Sequence, residues 1–425
     1  MANALNGSGA SVANAVFQEY WARRMQRQNY KVAIYPAITS MEAQPVLKQG
    51  DTYIKPYRSL ILAQAYTRGT SVTIQNLTNT VEYLQVTTAE VVPFYVDDLD
   101  QLQSNYNFIN DYADDAAVVL SNFIDSDVLA EYANAKSTID DGTLGGVSGN
   151  GINLQTGNIQ TIFSAMRARL GRYNVTQNRG GKIGNKGLFV AASPDFIQVL
   201  VNYLAGKNSN LGDSTGMNGH CGNYYGFDIY ETNTLTWTAT LNVAAQPSDG
   251  ETVVFQTVTE DGTTQTITFT FKTVLGTTAG NVLIGGSAAN ALTNIVALIN
   301  APSTTTANGV ALSTGNQAGL FRMTATVSGT TALIVAKGSS FFVTSSTFAS
   351  ASNGWAANLQ VQHILAGVKG ATDLVIQKQP NVEIKEVPDK LGKNILPWTL
   401  YGLKTFTSNK PRLINIPVRT DLYTL

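Results

Sequence analysis

Between Asp97 and Tyr132, apolar residues recur at Leu99, Leu102, Tyr106, Ile109, Ala113, Ala116, Leu120, Phe123, Val128 and Tyr132, in steps of mostly three and four. That spacing keeps one face of a helix apolar for about 35 residues. At about 1.5 Å per residue the helix would span about 50 Å, longer than most globular domains need. Asp97, Asp98 and Asp100 crowd its first turn, where the positive end of the helix dipole favours carboxylates. With Asp111, Asp114, Asp115, Asp125 and Asp127 they read as a solvated acidic face. Their spacing does not match the calcium loop, which needs a glycine and a terminal glutamate at fixed positions.

The segments before this helix offer little to bury. Residues 1–14 are small and polar, and VFQEYWARRMQRQ then sets Val16 and Tyr20 at helical spacing beside Arg23, Arg24 and Arg27. We read residues 1–45 as an exposed arm carrying a short helix. Residues 46–80 mix aromatic and β-branched side chains with Gly50, Pro56 and Gly69, as two strands joined by turns would. This long β-hairpin has too few apolar residues for a core of its own.

After the helix, DDGTLGGVSGNG (140–151) reads as a mobile glycine-rich loop. A second helix follows, with Ile159, Ile162, Phe163, Met166 and Leu170 on one face. GLFVAASPDFIQVLVNYL then gives a buried strand and a Ser-Pro-Asp helix start with proline at the first helical position. YGFDIYETN is a strand with Phe227 and Ile229 on one side and Asp228 and Tyr230 on the other. At about 236 the composition changes: residues 236–360 hold 25 threonines and seven charged residues, against 50 charged residues in the other 300. Such a shift marks a separate β-rich module, 236–360, around one apolar helix, AANALTNIVALIN. The earlier style resumes at 361.

Composition removes several kinds of chemistry. One cysteine in 425 residues excludes an intrachain disulfide and a multi-cysteine zinc site. Net charge is -1 and no long block of like charge appears, so the basic stripe of a nucleic-acid reader is missing. The N-terminus lacks the basic and apolar regions of a signal peptide, and no run of 18 apolar residues follows; we expect a soluble product of a cytoplasm, without a membrane partner. His220 and Cys221 are adjacent, but neighbours on extended chain point to opposite faces, and His363 is far along the chain. Cys221 is therefore read as a small buried hydrophobe rather than a nucleophile. GTLGGVSGNG and NRGGKIGNKG both lack the phosphate-loop pattern. No catalytic residue, cofactor or metal is expected.

In this order the segments resemble the major capsid proteins of tailed bacteriophages, an α+β fold of the Hong Kong 97 type. VEYLQVTTAEVVPFYVDDLDQLQSNYNFIN and its continuation are similar to that family's strand entering its spine helix. GLFVAASPDFIQVLVN and YGFDIYETN are similar to the axial domain, and LAGVKGATDLVIQ and YGLKTF to the late segments that complete the axial and peripheral domains. The resemblance covers roughly 300 residues, by order more than by diagnostic side chains.

The resemblance implies an arm (1–45), an extended loop (46–80), a peripheral domain (81–152) with spine helix 97–135, an axial domain (153–235 and 361–380), an inserted lobe (236–360), and a return to the peripheral domain (381–425). It implies a homo-oligomer: hexamers and pentamers of an icosahedral shell around double-stranded DNA, held without sequence specificity. Scaffolding and portal proteins would be partners, with assembly in the host cytoplasm and the virion as destination. Near-zero charge suits a shell that confines DNA without gripping it. Subunit-interface candidates are Tyr20, Trp21, Arg23 and Arg24 on the arm, and Ile54, Lys55, Tyr57, Arg58, Leu60, Ile61, Tyr66 and Arg68 on the loop. Some relatives crosslink a loop lysine to an asparagine; Lys55 lies in the loop, but no partner for it is evident. The alternatives are an encapsulin-like compartment, a β-rich tail protein or surface adhesin, and a hydrolase using Cys221.

Overall fold

The computed structural model describes residues 31–425 apart from 59, 104–107, 176–186, 208–221, 260–261, 339, 388–390 and 421–425. Tyr20, Trp21, Arg23, Arg24, His220, Cys221 and most of NRGGKIGNKG therefore lie outside the described residues.

The chain begins with the single turn α1 (Tyr35–Ile38). Next, β1 (Thr52–Tyr57) pairs antiparallel with β2 (Thr80–Gln85), Thr52 opposite Gln85 and Tyr57 opposite Thr80. β3 (Thr88–Val91) and β4 (Phe94–Asp97) lead into α2 (Asp98–Gln103) and α3 (Phe108–Leu129), which ends in a 3-10 turn, Ala130–Asn134. β5 (Ser137–Thr138), α4 (Ile159–Arg172), β6 (Leu188–Ala192), α5 (Pro194–Ala205), β7 (Asn223–Tyr224) and β8 (Phe227–Glu231) follow. Then come β9 (Thr236–Val243), β10 (Thr252–Val258), β11 (Thr264–Lys272), β12 (Asn281–Leu283), α6 (Ala288–Asn300), β13 (Met323–Ser328), β14 (Thr331–Lys337), β15 (Ser340–Ser346) and β16 (Asn353–Trp355). β17 (Val361–Val368), β18 (Asp373–Glu386), β19 (Gly392–Lys404) and β20 (Leu413–Arg419) close the chain.

Local sequence accounts for much of this. Ile159, Ile162, Phe163, Met166 and Leu170 are all fully buried along one side of α4. Ser193 caps α5 by accepting from the Phe196 amide, with Pro194 at the first helical position, where its missing N–H costs nothing. β6 is buried on both faces, as its unbroken apolar run requires. Phe163 packs edge-on against Phe227, with ring centroids 6.0 Å apart, and so ties α4 to β8.

The long helix departs from its periodicity. Asp97 belongs to β4, and the helical residues described start at Asp98. Leu99 and Leu102, placed on the buried face by spacing, are 54% and 84% exposed. The core side begins at Ala116 and continues through Leu120, Ile124, Val128 and Leu129. The reason is tertiary: α3 lies across β18 and β19, whereas α2 sits at the sheet edge beside β4.

Composition sets 236–360 apart, and Trp237, Phe255, Phe269, Phe271, Leu292 and Ile295 do form a core distinct from the main one. The backbone is nevertheless continuous across the boundary. β9 pairs with β17 through Thr236 opposite His363, so one ten-stranded sheet runs β13-β14-β9-β17-β6-β8-β7, with β16 also on β9, β20 also on β17 and β5 on β20. A four-stranded sheet, β12-β11-β10-β15, covers the other side of this lobe. A separate four-stranded sheet is β18-β19-β3, with β4 on the far end of β19.

The loop at 140–151 is organised around one carboxylate, contrary to the mobile loop expected. Asp140 accepts from the Thr143 amide at 3.1 Å and hydroxyl at 2.8 Å, the Ser148 hydroxyl at 3.2 Å and the Gly149 amide at 2.7 Å. These bonds hold its carboxyl below the usual range despite desolvation.

Candidate assembly interface

The hairpin is anchored firmly at its base and uncovered at its tip. At the base, Leu84 and Val86 pack with Ala43, Leu47, Val375 and Phe406 in a small core of their own. Lys55 lies 3.4 Å from Asp373, whose side chain is 4% exposed, and 4.8 Å from the Phe406 ring centre. Glu82 accepts from the Thr407 amide at 3.0 Å. Gly402 lets this base sit flush on β19: a Cβ there would lie 2.2 Å from the Gln85 carbonyl oxygen.

Beyond Tyr57 the ladder stops, although the sequence suggests strands through most of 46–80; the return strand starts at Thr80 and continues past that range to Gln85. Side-chain amides replace backbone pairing. Gln75 accepts from the Leu62 amide at 3.2 Å and donates to its carbonyl at 2.8 Å, and Gln64 donates to the Thr73 carbonyl at 2.5 Å. The tip turns at Thr67–Thr70 around Gly69, whose φ of +87° suits glycine.

Leu60, Ile61, Leu62, Tyr66, Val72, Ile74 and Leu77 are each more than 60% exposed on this tip. Ile54 and Tyr57 are also exposed, as are Arg58 and Arg68. From 52 to 80 the chain carries three cations, Lys55, Arg58 and Arg68, and no acid. Lys55 differs from the other candidates, because its side chain is engaged with its own subunit's Asp373 and Phe406.

A junction at the end of α3 fixes the hairpin's platform to the rest of the chain, and sequence reasoning misses it. Spacing alone reads the acidic residues of this helix as one solvated face; Asp125 and Asp127 are instead buried or nearly so. Asp125 accepts from the Ile34 amide at 2.8 Å, the Tyr35 amide at 2.7 Å and the Thr234 hydroxyl. Burial pushes its carboxyl up to about 6, against the pull of those three bonds. Asp127 accepts from Arg322 at 2.6 Å, Lys337 at 3.2 Å and the Tyr401 hydroxyl at 2.5 Å. Arg322 also stacks on Phe123, 4.3 Å from the ring centre. Burial, followed by the Asp127 charge, raises the Tyr401 hydroxyl far above its ordinary value.

His363 marks a second junction. It stacks on Tyr132 at 3.8 Å and hydrogen-bonds Thr238 of β9 at 2.9 Å and Asn415 of β20 at 3.0 Å. Burial lowers its imidazole to about 4, so the ring is neutral, and Asn415 Oδ1 selects the tautomer that donates from Nδ1. On β8, Asp228 and Tyr230 share the face expected for them, each accepting from Lys369, at 2.6 and 2.7 Å. Among the described residues no cluster suited to a metal ion occurs, and no described helix is long and apolar enough to cross a membrane.

Residues 80–283 match the family model of phage capsid proteins, a stretch from the first residue of β2 to the last of β12. Over those residues, 204 of the chain's 425, it carries the sequence pattern of phage capsid proteins. Its fold agrees: a structure from Mycobacterium phage Che8 superposes with a TM-score of 0.55 at 12% identity, over 94% of this chain and 96% of that one. The head structure of Helicobacter pylori bacteriophage KHP40 gives 0.50 at 10% identity, over 97% and 98%. No curated protein sequence matches significantly. Family match and fold together support a capsid shell protein, a component of the virion.

Proposed function

We propose that this capsid protein forms the hexamers and pentamers of an icosahedral shell enclosing double-stranded DNA, with the hairpin tip of each subunit lying over a neighbour. The observation that carries this reading is the tip itself: seven large apolar side chains on residues 60–77, each more than 60% exposed, on a base locked to its own subunit. An apolar surface of that kind needs a cover. Fully burying a large apolar side chain is worth about 1.5–3 kcal/mol, so seven of them supply on the order of 10 kcal/mol per contact before association entropy is subtracted. Residues 1–45 act as the arm, and the threonine-rich lobe, 236–360, stands on the outer surface, where neutral polar side chains tolerate water. Scaffolding and portal proteins direct assembly in the host cytoplasm, and DNA is confined without sequence preference, in keeping with a net charge of -1.

Electron microscopy of the expressed chain, with and without Ile61→Asp and Ile74→Asp together, tests the reading. Wild-type protein should give capsomer rings or closed shells, and the double variant should sediment as folded single subunits. Assembly that survives both charges would remove the tip from the interface, and wild-type protein that stays monomeric would overturn the shell reading.

A further inference from the structure

β13 stands last in the ten-stranded sheet, and β18 last in the β18-β19-β3 sheet. The outer edge of a last strand presents N–H and C=O groups on which another chain can add. On both strands one side-chain amide closes part of that edge. Asn300, the final residue of α6, accepts from the Ala325 amide at 2.8 Å and donates to the Ala325 carbonyl at 2.9 Å. Gln44 does the same on β18, accepting from the Ile376 amide at 2.7 Å and donating to its carbonyl. There Ser40 extends the cover, accepting from the Leu374 amide at 2.9 Å and donating to the Thr372 carbonyl at 2.8 Å. On β13 the Met323 amide donates to the Leu320 carbonyl at 3.0 Å, and Asn300 takes the centre.

Ladder groups alternate in direction, so the peptide groups of Met323, Ala325 and Val327 all turn toward that outer edge. The strand is also self-complementary. Laid antiparallel on its own copy with Ala325 opposite Ala325, Met-Thr-Ala-Thr-Val sets Thr324 against Thr326 and Met323 against Val327, in both directions. Thr324 and Thr326 are exposed on one face, whereas Met323 and Ala325 are buried on the other. Such a pair would continue the sheet with threonine beside threonine outside and apolar beside apolar inside. Met323–Ser328 carries no charge and no proline, the devices with which native edges repel a partner. At the centre of this two-fold, Ala325 would exchange both hydrogen bonds with its counterpart. Those are the two bonds that Asn300 holds.

We propose that Asn300 is an edge guard, and that the partner it excludes is a second copy of this chain adding through β13. Its amide supplies one peptide's worth of strand and no continuation, so it satisfies the edge and ends it. The guard is a property of the lobe itself. Only its use in a shell, where it keeps crowded 236–360 lobes from fusing, rests on the capsid reading.

Cysteines read the register. In an antiparallel pair centred on Ala325, Thr324 and Thr326 of the two copies form non-hydrogen-bonded pairs with Cα atoms about 4.5 Å apart, within disulfide range. The full-length chain carrying Thr324→Cys, Thr326→Cys and Cys221→Ser is oxidised with diamide, with and without Asn300→Ala. Asn300→Ala should raise the disulfide-linked dimer on non-reducing gels by about tenfold or more. Val327→Lys added to it should abolish the gain, by setting a cation opposite Met323. A yield of dimer unaffected by Asn300→Ala, or a gain that survives Val327→Lys, overturns the proposal. Hydrogen exchange on the unsubstituted chain gives a measurement that needs no variant to fold: the Ala325 amide should exchange about tenfold or more slowly than the Val327 amide on the same edge. Equal rates would mean that Asn300 does not hold the edge. Repeating the oxidation with Ile61→Asp and Ile74→Asp present separates the two readings, because the dimer should form there as well, whether or not shells do.

Discussion

Arg322, in the threonine-rich lobe, donates to Asp127 of the spine helix at 2.6 Å, and the two are separated by 195 residues of sequence. Both side chains are 14% exposed. With Lys337 and Tyr401 on the same carboxylate, this contact joins the 236–360 segment, α3 and the β18-β19 sheet. Phe321 packs edge-on to Phe123 beside it, at 5.5 Å.

Asp127→Ala should destabilise the chain by about 3 kcal/mol, because removing one partner leaves a poorly hydrated guanidinium and a buried hydroxyl unpaired. Asp127→Leu combined with Arg322→Met should recover most of that loss. Denaturant unfolding of the three proteins checks it; equal stability of the single and double variants would mean that desolvation of Arg322 is not the cause.

Two buried groups should oppose each other in pH dependence. Asp125, raised to about 6, contributes stability that is fully present below about 4 and lost as pH rises through 6. His363, lowered to about 4, contributes stability that is present above about 6.5 and lost as pH falls through 4. Each shift corresponds to roughly 3 kcal/mol. Between pH 4 and 6.5 the slopes have opposite sign. Asp125→Asn should therefore leave a chain that weakens as pH falls, and His363→Gln one that strengthens. Unfolding midpoints at half-unit pH intervals give the slopes directly, and parallel profiles for the two variants would refute the pairing.

Gly402→Ala should lift the hairpin from its platform. A Cβ would lie 2.2 Å from the Gln85 carbonyl oxygen and 2.8 Å from the Val86 Cα, both backbone atoms with little room to yield. We expect shell yield to fall at least tenfold, with far-ultraviolet circular dichroism nearly unchanged. Wild-type assembly in this variant would show that the base tolerates displacement.

Lys55→Met should cost about 1–2 kcal/mol, by stranding the buried Asp373 carboxylate. Lys55→Met with Asp373→Asn should be closer to wild type than Lys55→Met alone. Thermal unfolding ranks them, and a single variant as stable as wild type would show the ion pair to be energetically idle, as many half-exposed pairs are.

Much of the local architecture is legible in the amino-acid order. The α4 stripe from Ile159 to Leu170, the Ser193–Pro194 helix start and the doubly buried strand β6 each follow from patterns a few residues long. The exposed tip is legible too, since Leu60, Ile61 and Tyr66 have nothing nearby in the chain to cover them. Spacing misplaces Leu99 and Leu102 because periodicity reports that a helix has an apolar face, not how far along it a partner extends. It misreads Asp125 and Asp127 for the complementary reason. An aspartate on an amphipathic helix reads as solvated until the donors that offset its desolvation are known, and here they come from Ile34, Thr234, Arg322, Lys337 and Tyr401.

By itself the amino-acid order determined the helices, the buried strands, the uncovered hairpin tip and the neutral character of 236–360. Those depend on spacing and composition, which act over one or two turns of chain. Only the tertiary structure decided that the threonine-rich lobe shares a sheet with β17, that two of the spine's aspartates are structural struts, and that His363 is neutral and stacked on Tyr132. Each of these joins residues roughly 90 to more than 200 positions apart, where local periodicity carries no information and burial is set by what the far segment brings.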